Sequence, residues 1–162
     1  MSIVCVDTQI LIWAIKEEAE SGQEDMIYRS KALFERLDKS DKKLLVPSIV
    51  VGEFLIRMPP ETYQITSNLI ERDFIVADFD IVAAAHYAKI WRAKQNDKRL
   101  MNELSALGKT RQELKADRMI VATAIANGVE CIYSHDKGVI AFGTDFVDVR
   151  EVPQAPNQKK MF

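Results

Sequence analysis

The chain has 162 residues, of which 48% are hydrophobic and 28% charged, with two cysteines and a formal net charge of −2 at pH 7. This length suits one domain with a sizeable core, and the composition excludes a disordered, collagen-like or disulfide-stapled protein. Two cysteines and a first segment unlike a secretory signal favour a reducing compartment, so we expect a cytoplasmic protein. No apolar run approaches the roughly 20 residues of a membrane span, so we expect no membrane partner.

In the first half of the chain, short apolar strands alternate with amphipathic helices. Residues 3–6 and 44–47 are continuously apolar, which is typical of strands that are buried on both faces. The spacing of apolar residues between and after these strands predicts helices at residues 10–15, 25–37, 49–58 and 60–71.

The second half continues this alternation and adds one irregular segment. Residues 94–112 keep helical spacing up to Gly108, and we interpret them as a helical insertion. Thr110 and Glu113 form a capping box that opens the helix after it. The other predicted elements are strands at residues 74–77, 131–133 and 146–149 and helices at residues 80–94 and 110–127.

Strands that alternate with helices predict a parallel sheet that is covered by helices on both faces. We therefore expect an open three-layer α/β/α sandwich that forms a single domain over residues 1–152. Residues 153–162 carry two prolines and two lysines, and we expect them to form a loose C-terminal tail.

Four acidic residues are expected at one edge of this sheet. In an open parallel sheet, the functional crevice lies beyond the carboxyl ends of the strands. Asp7 ends the first strand, and Asp136 follows the fourth. Glu53 lies one turn into the helix after the second strand, and Asp117 lies in the first two turns of the helix before the fourth. We therefore predict that the four carboxylates converge.

Each carboxylate also has an ordinary interpretation when it is taken alone. Asp117 could be a partner of the helix dipole, Glu53 could pair with Arg57, and an Asp after a strand is often a turn residue. Together, four converging carboxylates repel one another unless a cation joins them. Oxygen ligands favour Mg²⁺ or Mn²⁺ over Zn²⁺, and Mg²⁺ held by a few carboxylates is typical of phosphate-ester chemistry.

Short motifs in both halves of the chain carry a family resemblance. The first are Val6-Asp7-Thr8 and Val46-Pro47-Ser48, which Glu53 follows; the others are residues 115–124 and 132–136. In order and spacing they resemble the PIN-domain family, and within it the chain is most similar to VapC-like toxins. The resemblance extends over nearly the whole chain and implies a five-stranded parallel sheet in the order 3-2-1-4-5.

The resemblance implies a Mg²⁺- or Mn²⁺-dependent endoribonuclease with the catalytic residues Asp7, Glu53, Asp117 and Asp136. Asp7, Asp117 and Asp136 would hold the metal ion, and Glu53 would orient the attacking water. Ser134 and Thr8 would support the site. The resemblance further implies the toxin of a toxin–antitoxin pair, so we expect an antitoxin that inserts a basic residue among the carboxylates. We also expect a homodimer.

One stretch of the chain is strongly basic. Residues 89–118 contain nine Lys or Arg against four acids, whereas the rest of the chain is acidic. Such a stretch attracts a polyanion, and we predict that it lines the path of RNA into the acidic crevice. The candidate RNA-binding residues are Lys94, Lys98, Arg99, Lys109, Arg111, Lys115 and Arg118. The alternatives are a solvated helical hairpin and a dimer or antitoxin contact through Leu100, Met101, Leu104 and Leu107.

Two functions from other classes remain open. One is a catalytically silent PIN-like binding module, and the other is a receiver-type phosphoacceptor domain. A receiver needs a Lys at the end of its fifth strand, where the nearest cation here is Arg150. We interpret His135 as structural, and we expect Trp13 and Trp91 to lie in the core rather than to stack on bases.

Overall fold

The computed structural model describes residues 2–156 and contains one sheet of five parallel strands. The strands are β1 (Ile3–Val6), β2 (Lys43–Pro47), β3 (Ile75–Ala77), β4 (Cys131–Tyr133) and β5 (Asp148–Arg150). Their order across the sheet is β3-β2-β1-β4-β5. β1 pairs with both central neighbours, so that Cys5 lies opposite Leu45 and Ile132. The predicted fold class and strand order are confirmed.

Helices connect the strands and cover both faces of the sheet, as parallel topology requires. They are α1 (Thr8–Leu11), α2 (Asp25–Lys39), α3 (Ser48–Leu55), α4 (Tyr63–Asp73), α5 (Ile81–Lys94), α6 (Lys98–Ala106), α7 (Arg111–Ala126) and α8 (Lys137–Gly143). Residues Ile12–Lys16 continue α1 as a π-helical turn, and Pro60–Thr62 form a 3₁₀ turn before α4.

The core lies on both sides of the central strands. Val4, Cys5 and Val6 of β1 are buried, as are Leu45 of β2 and Ile132 of β4. Burial on both faces explains why these strand segments are continuously apolar. For the same reason, such a segment predicts a strand of a parallel sheet. Trp13 lies in this core as predicted.

Among the predicted boundaries that differ from the structure, local turns explain the late start of β5 and the early end of α3. β5 begins at Asp148 rather than at residue 146, since the amides of Phe146 and Val147 both donate to the carbonyl of Gly143 at 2.9 Å. α3 ends at Leu55 rather than at residue 58, because the chain closes there into a turn in which the Met58 amide donates to the Leu55 carbonyl.

α8 is an element that the sequence pattern does not predict. Its seven residues include Gly138 and Gly143, which lower helix propensity. Asp136 compensates as the N-cap, because its Oδ1 accepts hydrogen bonds from the amides of Gly138 at 2.8 Å and Val139 at 3.1 Å.

The described part of the predicted tail is packed rather than loose. The Arg29 guanidinium donates to the carbonyl of Pro153 at 3.2 Å and to that of Val152, and Ala155 is buried. Residues 157–162 of that tail lie outside the described residues. Trp91 also departs from expectation, since it is 42% exposed on α5. Within residues 2–156, no helix is long and apolar enough to cross a membrane.

Candidate functional site

A cavity of about 390 Å³ opens at the carboxyl edge of the sheet, where β1, β2 and β4 end. Its walls come from α1, α3, the first half of α7 and the start of α8. The four predicted carboxylates of Asp7, Glu53, Asp117 and Asp136 all line it, together with Thr8. Four separate segments of the chain thus bring their acids into one cavity.

Asp7 is placed by the end of β1 and is 3% exposed. Its Oδ1 accepts a hydrogen bond from the Ile10 amide at 3.5 Å and so caps α1, while its Oδ2 accepts one from the Ser134 hydroxyl. Burial raises the pKa of Asp7 from 3.8 to about 7, and the negative charges of Asp136 and Glu53 add to the shift. The positive charge around Asp7 is therefore too weak to keep the pKa of its carboxyl at the ordinary value.

Asp136 follows β4, the strand that pairs directly with β1. Ser134 joins it to Asp7, because the Ser134 Oγ accepts a hydrogen bond from the Asp136 amide at 3.0 Å while donating to Asp7. Burial by itself would raise the pKa of Asp136, but the ammonium of Lys109 and the amides at the start of α8 outweigh it and lower that pKa. Ser134 thus holds two acids in fixed relation, which suits its predicted supporting role.

Asp117 lies in the second turn of α7 and points at the first turn of α8. It is 6% exposed and packs directly against Gly138, where an added Cβ would lie 1.9 Å from its Oδ2. Burial raises the pKa of Asp117 to about 7, and the nearby charge of Asp136 adds to that effect. Gly138 is therefore needed for the position of this carboxylate, a role that the sequence pattern does not reveal because α8 itself is not predicted.

Glu53 closes the cavity on the side of α3. The Thr8 hydroxyl donates to its Oε1 at 3.3 Å, so Thr8 orients it. Burial and the charge of Asp136 raise the pKa of Glu53, although the Thr8 hydrogen bond and the charge of Lys109 oppose the shift.

Lys109, predicted to line a path for RNA, lies inside the acidic cavity instead. Its Nζ is 2.9 Å from Oδ2 of Asp117 and 2.6 Å from Oδ2 of Asp136, so one ammonium bridges two of the predicted metal ligands. Burial by itself would lower the pKa of Lys109, but the hydrogen bonds and charges of the two carboxylates outweigh it and raise that pKa. Sequence reasoning identified the residue but not its position, since a lysine in a basic stretch gives no sign of which acids it meets.

The other predicted RNA-binding residues do not line the acidic cavity. Lys94, Arg111, Lys115 and Arg118 line a second cavity of about 390 Å³ on another face of α7, beside Trp91. Within it, Lys94 pairs with Asp145, and the Arg118 guanidinium lies 5.1 Å from the ring centroid of Phe142.

Two of the predicted cations lie apart from both cavities. Lys98 and Arg99 are exposed on α6, where Arg99 pairs with Glu103 at 3.2 Å. Conversely, the acidic cavity is also lined by Arg57 and Glu113, which were not predicted as site residues. The position of Arg57 four residues after Glu53 is the signal that could have placed it there.

The donor set suits Mg²⁺ or Mn²⁺, since four carboxylates and a hydroxyl offer only oxygen. Three of those carboxylates, Asp7, Glu53 and Asp117, have pKa values raised by burial and by neighbouring negative charge, which an added cation would relieve. As they stand, no three His, Cys, Asp or Glu side chains within residues 2–156 are grouped closely enough to hold a metal ion. The Lys109 ammonium contacts Oδ2 of both Asp117 and Asp136.

Comparison with known families decides the relationship of the chain. The family model described as "PIN domain" matches residues 4–150. The chain belongs to the PIN domain family. Its strand order also differs from the order 2-1-3-4-5 of receiver-type sheets, so the receiver alternative is excluded. A comparison with curated proteins gives no match.

Solved structures of VapBC proteins share this PIN fold. VapBC2 from Rickettsia felis, bound to a promoter DNA fragment, is 18% identical with a TM-score of 0.57, covering 92% of this chain and 98% of that one. VapBC-1 from nontypeable Haemophilus influenzae is 18% identical with a TM-score of 0.59, and the match covers 92% of this chain and 97% of that one. DNA-bound VapBC from Salmonella typhimurium is 20% identical with a TM-score of 0.59, and the match covers 94% of this chain and 100% of that one.

Proposed function

We propose that this PIN domain is a Mg²⁺- or Mn²⁺-dependent endoribonuclease and the toxin of a toxin–antitoxin pair. The observation that carries the proposal is the convergence of four carboxylates from four chain segments in one cavity, two of them with pKa values raised to about 7. Such an arrangement is unfavourable for folding unless it serves a cation, and functional sites are where such unfavourable groups collect.

Asp7, Asp117 and Asp136 are the residues that would hold the ion. Bound there, a divalent ion supplies positive charge to the scissile phosphate and makes water a better nucleophile near neutral pH. Ser134 keeps Asp7 and Asp136 in fixed relation through its two hydrogen bonds. The carboxylates of Asp7 and Asp136 are thus held in relation to each other before substrate binds.

Glu53 has the properties of the group that orients and deprotonates the attacking water. It lies across the cavity from α7 and α8, it is held by Thr8, and its raised pKa brings it closer to neutral pH than an exposed glutamate. Attack by water on the phosphodiester would leave 5′-phosphate and 3′-hydroxyl ends.

RNA is proposed to run from the acidic cavity over the start of α7 to the second cavity. Arg111 and Lys115 are exposed there, and Trp91 offers an exposed ring on which a base can stack. Cations beside an acidic centre compensate for its repulsion of phosphate.

An antitoxin and a second copy of the chain are the proposed protein partners. The VapBC structures that share the fold support the first, which would offer a basic residue to the carboxylates. Of the four residues predicted for a contact through α6, Leu104 is buried in the core and Leu100 and Met101 pack against it, so that only Leu107, which is 63% exposed, is free to contribute. The described surface instead exposes apolar side chains on α3 to α5, which favour a homodimer there: Ile56, Ile65, Leu69 and Ile81.

The test is an assay of RNA cleavage by the purified wild type, the Asp7→Asn variant and the Asp38→Asn variant. Asp38 is an exposed acid on α2 and serves as the matched control. We expect cleavage with Mg²⁺ or Mn²⁺ by the wild type and Asp38→Asn, and none with EDTA or by Asp7→Asn. Tight RNA binding without cleavage in any metal would favour the silent binding module instead.

A further inference from the structure

The acidic cavity contains a cation of its own chain. The Lys109 ammonium contacts Oδ2 of Asp117 at 2.9 Å and Oδ2 of Asp136 at 2.6 Å, and its side chain is only 16% exposed. Charge-assisted hydrogen bonds of this length are strong, and removal of one partner from a buried pair leaves an uncompensated charge. Lys109 is thus held by two of the carboxylates that would hold the proposed metal ion.

The position of Lys109 is determined by the backbone on both sides. α6 ends at Ala106 and is followed by Gly108 at φ +84°, a left-handed conformation that favours glycine, and the Lys109 amide donates to the Leu104 carbonyl at 3.1 Å. On the other side, Thr110 is the N-cap of α7 and forms a capping box with Glu113. Lys109 is therefore the single residue between two capped helix ends.

The helix before this connection is itself anchored. Leu104 of α6 is buried in the core, and Leu100 packs against the core. The Asp97 side chain caps the start of α6 by accepting a hydrogen bond from the Leu100 amide at 3.0 Å. α6 is thus anchored by its cap and by the core, directly before the lysine that enters the acidic cavity.

We propose that Lys109 is an internal counter-cation that competes with the divalent ion for Asp117 and Asp136 and so sets the metal affinity of the site. Both cations would use the carboxylates of Asp117 and Asp136, and an ammonium that stays in place repels a second positive charge. Metal binding therefore includes the displacement of Lys109 from these oxygens. The inference rests on the proposed function only in taking Asp117 and Asp136 as metal ligands.

The first experiment measures Mn²⁺ binding by isothermal titration calorimetry, without RNA, for the wild type, Lys109→Met and Lys137→Met. Lys137 is an exposed lysine directly after Asp136, so its variant removes a nearby positive charge outside the cavity. We expect Lys109→Met to bind Mn²⁺ at least ten-fold more tightly than the wild type, and Lys137→Met to change the affinity less than three-fold. An unchanged or weaker affinity in Lys109→Met, or equal gains in both variants, would overturn the proposal.

The second experiment uses the wild-type protein alone and therefore does not depend on how a variant folds. Lysine acetylation by an N-hydroxysuccinimide ester is followed residue by residue by mass spectrometry, with and without saturating Mg²⁺. We expect Lys109 to be labelled several-fold faster when Mg²⁺ is present, while Lys137 is labelled at the same rate. A Lys109 rate that Mg²⁺ leaves unchanged would contradict displacement. Because neither experiment measures cleavage, a protein that binds metal in this way but cuts no RNA would refute only the nuclease proposal.

Discussion

The two faces of α7 differ in what holds their charged residues in place. On one face, Asp117 is buried beside Gly138 and Asp136 in a cavity that the ends of the parallel strands create. On the other face, Arg111 and Lys115 are exposed beside Trp91. The ends of the parallel strands determine where the acidic side chains lie. The basic side chains are positioned by side-chain contacts instead, such as that between Arg118 and Phe142. This difference supports the proposal that the acidic face carries the chemistry and that the basic face provides adjustable contacts.

The largest expected effect separates the two faces by their kinetics. Asp117→Asn should lower kcat for RNA cleavage by about 10³-fold, or about 4 kcal/mol of transition-state stabilisation, because it removes a proposed metal ligand. Lys115→Gln should leave kcat within about two-fold and raise KM, because it contributes to binding alone. Steady-state kinetics on one short RNA measures both. Similar losses of kcat in the two variants would show that the two faces of α7 do not differ in function.

A second test changes the packing of the acidic face without changing its charge. In Gly138→Ala the new Cβ would collide with the Asp117 carboxylate, so we expect destabilisation by about 2–3 kcal/mol and weaker Mn²⁺ binding. Gly52→Ala is the matched control, because Gly52 lies inside α3 with nothing within 4 Å of an added Cβ. That variant should be as stable as the wild type or more stable by up to about 1 kcal/mol, as urea unfolding would show. Equal stability of the two variants would mean that Gly138 is not needed for the position of Asp117.

The third prediction concerns stability and pH in the presence of EDTA. The pKa of Asp7 is about 7 in the folded protein and ordinary in the unfolded chain, so between about pH 4 and pH 7 the folded state binds the extra proton. The free energy of unfolding should therefore fall as pH rises through this range. Asp7→Asn removes the titrating group, so at pH 8 it should be more stable than the wild type by about 1–2 kcal/mol.

Urea unfolding of the wild type and Asp7→Asn at pH 5 and pH 8 checks this prediction. The stability advantage of Asp7→Asn should be clearly smaller at pH 5 than at pH 8, and it should vanish only below about pH 4, where the unfolded chain also binds the proton. A variant that is less stable than the wild type at pH 8 would show that the Asp7 carboxylate stabilises the fold rather than serving a cation.

The smallest expected effect belongs to the basic face. Replacing Arg111 and Lys115 with Gln should flatten the salt dependence of RNA binding, with the slope of log K against log salt reduced by about 0.7 for each lost phosphate contact. Lys98 and Arg99, which are exposed on α6 away from both cavities, provide the matched double variant. Fluorescence anisotropy at several salt concentrations compares the pairs. If both double variants flatten the slope equally, the attraction is a general effect of charge and the second cavity has no special part in it.

The residue positions that could be predicted from the sequence are those that the topology of the sheet alone determines. Asp7 and Asp136 follow adjacent parallel strands, and the inward faces of α3 and α7 carry Glu53 and Asp117, so their convergence could be predicted from strand and helix periodicity. The fold and strand order followed from the same patterns together with the family resemblance. These features depend on the backbone, which local sequence largely encodes.

Features that depend on individual tertiary contacts could not be predicted. α8 was missed because two glycines hide its helical character, and its start depends on a cap from Asp136. Lys109 follows the left-handed Gly108 in the turn between α6 and α7, and the sequence pattern of that turn does not reveal which acids the lysine meets. The exposure of Trp91 likewise depends on what packs beside α5, which its apolar spacing does not reveal.

The most direct test of the central claim is the chemistry of the RNA ends that the wild-type protein produces with Mg²⁺. Labelled RNA is incubated with the protein, and the products are analysed by mass spectrometry beside an Asp117→Asn control prepared in the same way. If the four carboxylates serve a divalent ion that activates water, every cut carries a 5′-phosphate and a 3′-hydroxyl, and EDTA abolishes the products. Products that end in a 2′,3′-cyclic phosphate, or cuts that persist in EDTA and in Asp117→Asn, would contradict the account.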